Sequence, residues 1–238
     1  MKTASGARQQ KRIDELMEQA GQALTDTKYF EAERLAHDAL RQAHGLRDYD
    51  RMARIALPLQ EARRQKRLAA MDADHIYLFD RAPGEGEQVK IEPGCWLVQP
   101  PMVGADGRSL REEADRLEIP VLVIVREPTT QLGRWPVVMI GPVTVRTQIP
   151  PAEELTCEWF LEASEALGDE AMEQVDSELA AAVRVDRLLD RLETLPEHEK
   201  LHQALADACR AAQRECAENE RDREKSGKKK KKKPADNS

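Results

Sequence analysis

A small α/β core carried between two helical arms is the fold class this sequence of 238 residues predicts. It is a mixed α+β/α/β arrangement, with a small, mostly parallel or mixed sheet containing a βαβ unit and helical hairpins on both sides. Three observations predict it. From Gly94 to Thr147, β-branched runs alternate with prolines and glycines. Before Met71 and after Ala152, apolar residues instead recur every three or four positions, the period of one helix face. Within the central stretch, a helical pattern lies between two short apolar runs.

Residues 1–8 are polar and read as disordered, followed by a helical arm over 9–72. Its first helix carries Ile13, Leu16, Ala20, Ala23 and Leu24 on one face, and Thr25-Asp26-Thr27 breaks it. A second helix from Tyr29 turns Ala32, Leu35, Ala36, Ala39 and Leu40 inward, with Gly45 placed to end it. A third, over 48–70, is interrupted by Pro58, which predicts a kink or a split. The run Arg63-Arg64-Gln65-Lys66-Arg67 reads as a solvated helix end, where cations suit the helix dipole.

Residues 73–151 form the α/β domain. Strands are predicted over 75–79, 95–99 and 121–125, with a short one at 89–92. The segment Pro83-Gly84-Glu85-Gly86 reads as a turn, because it lacks the third glycine and the lysine of phosphate-binding loops. Ser109 followed by Glu112 matches a capping box, so a helix is expected over 109–118, stopped by Pro120. Strand, helix and strand make a βαβ unit with parallel strands. The runs 135–140 and 143–147 make a hairpin or one kinked strand around Gly141-Pro142.

An acidic helical arm occupies 152–218. A helix over 152–167 carries Leu155, Trp159 and Ala163 and is broken by Gly168-Asp169. A long helix then carries Val175, Leu179, Ala182, Val185, Leu188 and Leu192, and Pro196 opens a last one bearing Leu201, Leu205, Ala208, Ala212 and Cys216. Beyond 218 apolar residues vanish, so 219–238 reads as a disordered basic tail.

In the first arm, Tyr29, Ala32, Ala39 and Leu40, with Leu16, Ala20 and Ala23 on the preceding helix, resemble one tetratricopeptide repeat over residues 13–46. Leu201 to Cys209 gives a weaker echo near 196–212. Ala36 and Thr27 depart from that family's larger apolar residue and loop glycine, and a plain helical hairpin satisfies the same residues. The resemblance implies paired helices with grooves that receive partner proteins.

Charge is unevenly spread. Residues 151–225 carry 9 basic and 21 acidic groups, whereas 226–238 carry 6 and 1. An acidic body disfavours phosphate backbones, which leaves Lys228, Lys229, Lys230, Lys231, Lys232 and Lys233 as the weak route to nucleic acid. The four cysteines lack CxxC spacing and read as reduced, buried thiols, and no run approaches the ~18 apolar residues of a membrane span. A cytoplasmic location follows.

No nucleophile, base and orienting acid assemble, and neither cofactor nor metal is expected. His198 and His202 share a helix face but read as exposed, without a third ligand. The βαβ unit does offer a candidate anion site. Its two loops, 100–108 and 126–134, leave the carboxyl ends of both strands, where open α/β sheets bind ligands. Arg108, Ser109, Arg111, Arg126 and Arg134 are the candidate residues, joined by helix N-terminal amides. The competing reading is that Arg126 merely pins its own loop. The expected function is a non-catalytic protein-interaction or scaffold module, and the alternative is a binder of phosphate or carboxylate ligands at that edge.

Overall fold

The computed structural model describes residues 2–82, 84 and 89–231. Three helices come first: α1 (Lys2–Thr25), α2 (Tyr29–Leu46) and α3 (Tyr49–Asp72). The α1–α2 turn places Thr27 at φ +59°, the conformation a loop glycine adopts without strain. Ala32, Ala36, Ala39 and Ala43 are buried, so small side chains let the helices approach closely. Helix α2 ends at a left-handed Arg47, not at Gly45, and the Asp48 carboxylate caps α3 by accepting from the Arg51 amide at 3.2 Å. Pro58 lies inside α3 without dividing it.

The sheet comprises β1 (Ile76–Phe79), β2 (Gly94–Val98), β3 (Val121–Arg126), β4 (Trp135–Ile140) and β5 (Thr144–Ile149), in the spatial order β1-β2-β3-β4-β5. The first three strands are parallel, with Leu97 opposite Leu78 and Ile124. The pairs β3–β4 and β4–β5 are antiparallel, so Gly141-Pro142 turns a true hairpin. Helix α4 (Gly104–Arg116) links β2 to β3 as the βαβ unit requires and covers one face. There it packs Leu110 and Ala114 on Trp96, Val98, Val123, Val125 and Val138. Helices α3 and α5 (Cys157–Glu173) cover the other face, burying Cys95, Leu97, Leu122, Ile124, Val137 and Met139. Apolar burial on both faces is why β2, β3 and β4 read as continuous hydrophobic runs.

Helix α6 (Ala181–Thr194) and α7 (Glu199–Lys231) complete the chain, with α7 lying along both α3 and α6. Several boundaries correct the sequence reading. Helix α1 already begins at Lys2, within the stretch read as disordered. No strand forms at 89–92; residues 89 and 90 precede a plain loop. The capping box at Ser109 is absent, because α4 starts five residues earlier, at Gly104. Its glycines are there for contact with the sheet. A Cβ on Gly104 would lie 2.3 Å from Ile140 Cδ1, and one on Gly107 2.3 Å from Val125 Cγ2. Helix α5 runs through Gly168, where a Cβ would meet the His198 ring at 2.1 Å, and α6 begins only at Ala181. Val175 and Leu179 therefore lie in the intervening loop. The backbone of α7 stays helical past residue 218, to Lys231. The turn read at 83–86 falls, apart from Gly84, outside the described residues, as do Lys232 and Lys233.

Candidate functional site

The carboxyl edge of β2 and β3 does not gather the five predicted residues. Since α4 starts at Gly104, Arg108, Ser109 and Arg111 lie within it and not beside its first amides. That helix start is occupied by its own chain: the Asp106 carboxylate accepts from the Val103 amide at 2.7 Å. Arg126 donates to Gln99 Oε1 at 2.9 Å and to Thr129 Oγ1 at 3.2 Å, and its guanidinium lies over the Trp135 ring. It pins both loops to each other. Arg134 sits in the exposed β3–β4 loop, where its amide donates to Thr130 Oγ1. The strand order also never reverses, so the sheet has no switch point between strands to open a crevice.

Arg108 and Arg111 face a different place, a cleft of about 610 Å³ between α2 and α3 on one wall and α4 on the other. The β4–β5 turn at Gly141-Pro142 and Pro196, after α6, close one end. Phe30, Arg34 and His37 enter from α2, Arg63 and Lys66 from α3, and Arg116 and Asp115 from α4. Six cationic side chains thus line it, and five carboxylates neutralise most of that charge: Glu33, Glu112, Asp115, Glu118 and Glu193.

The pairing is specific. Glu33 accepts from Arg63 Nε at 2.7 Å and Lys66 Nζ at 2.5 Å, and Lys66 also reaches Asp115 at 2.5 Å while lying over the Phe30 ring. Burial alone would raise the Glu33 pKa; the two cations outweigh it and hold the carboxyl down to about 2. Arg108 pairs with Glu112 one turn on, Arg116 with Glu113, and Arg34 reaches Glu118 at 3.9 Å. Among the described residues Arg111 has no carboxylate partner; it donates to the Thr194 carbonyl at 2.8 Å, capping the end of α6.

Behind the cleft runs a buried polar seam joining α3 to α7, which the sequence reading missed. Arg63, Arg67, His198 and His202 are all under 10% exposed, so the histidine pair and two arginines of the run are not solvated as expected, while Arg64 is exposed. Arg67 donates to the Glu197 carbonyl at 3.0 Å and to Glu199 at 2.5 Å. His202 donates from Nδ1 to the His198 carbonyl at 3.0 Å, and its Nε2 faces Arg63 Nη1 at 3.4 Å. An arginine can only donate, so that nitrogen is the acceptor and the imidazole is neutral. Burial first, and then the Arg63 charge, push its pKa down to about 3. His198 lies 3.4 Å from Glu165 and 3.6 Å from Asp169. The missed signal was spacing: Arg63 and Arg67 continue the four-residue rhythm of Ile55 and Leu59, on the buried stripe of α3.

At the cleft, His37 contacts Glu193 at 2.5 Å, and further along α2 His44 contacts Asp186 at 2.7 Å. Residues seven apart on α2 therefore meet residues seven apart on an antiparallel α6, two turns from one clasp to the next. Among the described residues, no group of three His, Cys, Asp or Glu side chains is placed to hold a metal ion, and no helix is long and apolar enough to cross a membrane. Compared with known proteins, the chain matches no family model, no curated protein and no solved structure.

Proposed function

We propose that this chain is a non-catalytic interaction module, and that the cleft between its N-terminal helical arm and α4 receives a segment of a partner protein. One observation carries the reading: the cleft wall presents charges of both signs already matched to one another. A pocket for a small ligand is mostly apolar with a few convergent polar groups. This wall is the reverse, with ion pairs spaced by Phe30, Pro142 and Pro196. Exposed pairs such as Arg108–Glu112 contribute little to the fold and can exchange partners with an incoming chain. Helix α2, the second helix of the tetratricopeptide-like hairpin, supplies part of one wall, which agrees with the same reading. Four free cysteines, three of them buried, support a reducing compartment such as the cytosol.

A photo-crosslinking residue at Arg34 or Arg116 tests this in cells. Crosslinks to one defined protein, absent when the probe is moved to Arg146 on the sheet, are the expected result. Equal labelling from all three positions would overturn it. A second reading, a small polyanion held by Arg34, Arg108, Arg111 and Arg116, is favoured by their convergence on one cleft. Nucleotides, sugar phosphates and dicarboxylates at millimolar concentration would then raise the melting temperature, and Arg111→Ala would abolish the rise.

A further inference from the structure

We propose that the segment received by the cleft is phosphorylated. Its phosphate is held between Arg108 and Arg111, and a second acidic group, about three residues away, between Arg34 and Arg116. The proposal rests on the interaction reading above and adds the chemistry of the partner. It starts from which of the lining charges are already committed. Deep in the cleft, Arg63 and Lys66 share the Glu33 carboxylate, Lys66 also takes Asp115, and His37 holds Glu193. These groups are matched among themselves.

The outer wall differs. Arg108–Glu112 and Arg116–Glu113 are pairs within one turn of α4, and Arg34 only approaches Glu118, at 3.9 Å. All six side chains are at least 45% exposed, so each pair contributes little and releases its arginine readily. Arg111 is the charge left over. Its one hydrogen bond among the described residues runs to the Thr194 carbonyl, which fixes a half-buried guanidinium in place and leaves it without a carboxylate.

Charge decides the ligand. A partner's carboxylate would only exchange one monoanion for another at the paired arginines. A phosphate ester brings about −1.5 to −2 charges and three acceptor oxygens, enough to bridge two guanidinium groups. Arg108 and Arg111 are three apart on α4 and so are neighbours on its surface. Spacing decides the second contact. Arg116 lies roughly 10 Å further along α4, where Arg34 arrives from the opposite wall beside Glu118. One phosphate cannot span that distance, whereas an extended chain covers it in about three residues.

The test presents the full chain with an array of short peptides that fixes phosphoserine at the centre and varies each flanking position in turn. Phosphopeptides should be retained over matched serine peptides by a factor of roughly ten or more, the worth of one charge-assisted hydrogen bond. Aspartate or glutamate should be preferred about three residues from the phosphate. Arg108→Ala should lose most of the phosphate dependence at an unchanged melting temperature. Arg116→Ala should keep that dependence and lose the acidic preference; a preference that survives it would overturn the second contact. Equal retention of serine peptides, or a phosphate dependence untouched by Arg108→Ala, would overturn the proposal. So would inorganic phosphate or O-phosphoserine competing as well as the peptides do, which would make this a site for small molecules. The interaction reading fails separately. A partner photo-crosslinked from Pro142, on the cleft rim, that persists after phosphatase treatment of the lysate would uphold the module and overturn the phosphate. No crosslinked partner with or without phosphatase would remove the module itself.

Discussion

The contact of α4 with the sheet and the junction of α3 with α7 are held by different means. On the α4 face, Leu110, Ala114, Val123, Val125 and Val138 form an apolar contact, with glycines setting how near the helix comes. The α3–α7 junction also has an apolar centre, around Leu59, Leu201 and Leu205, yet it is edged by Arg63, Arg67, His198 and His202. Apolar contact is tolerant of small changes in partner but not of added volume. A buried ionic seam is the opposite: it tolerates little loss of charge, since one missing partner strands the others. The contrast is open to direct attack.

The largest effect is expected from Arg63→Ala. It leaves Glu33 with Lys66 alone and removes the donor facing His202, at a cost of about 3–5 kcal/mol in denaturant unfolding. A cost below 1 kcal/mol would make the seam ornamental. On the apolar face, Gly107→Ala should cost about 1–3 kcal/mol, because its new methyl meets the Val125 side chain, which cannot swing aside. Adding Val125→Ala should recover part of that loss; no recovery would mean that the helix backbone, not the contact, is responsible.

The seam should also be acid-labile where the α4 face is not. His202 titrates near 6.5 when unfolded and about 3 when folded, so the unfolded chain binds the extra proton in between. Stability is therefore full above 6.5 and falls as pH drops, by about 2 kcal/mol between pH 6.5 and 5. His202→Gln should flatten that slope. An unchanged slope would place the acid sensitivity elsewhere. The smallest effect belongs to Arg108→Ala, whose partner Glu112 is one turn away and exposed: under about 0.5 kcal/mol, checked by the same unfolding curves.

How much of this was legible in the sequence depended on whether a residue's type matched its position. Cys95 to Val98 and Val121 to Val125 announce buried strands because every side chain agrees with burial on two faces. Gly104 and Gly107 disagree with helix propensity and so read as loop; their function, close approach to Ile140 and Val125, is a tertiary fact. Gly168 misleads for the same reason, since the His198 ring fills the space of its missing side chain. The anion site was lost with that helix start. Placing the first turn at residue 104 turns Arg108 and Arg111 towards α2 and α3, while Arg126 stays with Gln99 and Trp135. The seam was the hardest to see, because charge type argued for solvent while the four-residue spacing of Arg63 and Arg67 argued for the core.

The unreversed strand order has a consequence for how the chain folds. Each strand pairs with its neighbour in sequence, so the sheet can grow from β1 to β5 as the chain lengthens, closing short loops throughout. The α3–α7 junction joins residues 130 to 139 apart and must wait for nearly the whole chain. The sheet is therefore expected to be formed in the folding transition state, and the junction to form after it. In stopped-flow kinetics, Val123→Ala should slow refolding, whereas Arg63→Ala should mainly speed unfolding. The reverse pattern would show that the two arms meet first and the sheet condenses between them.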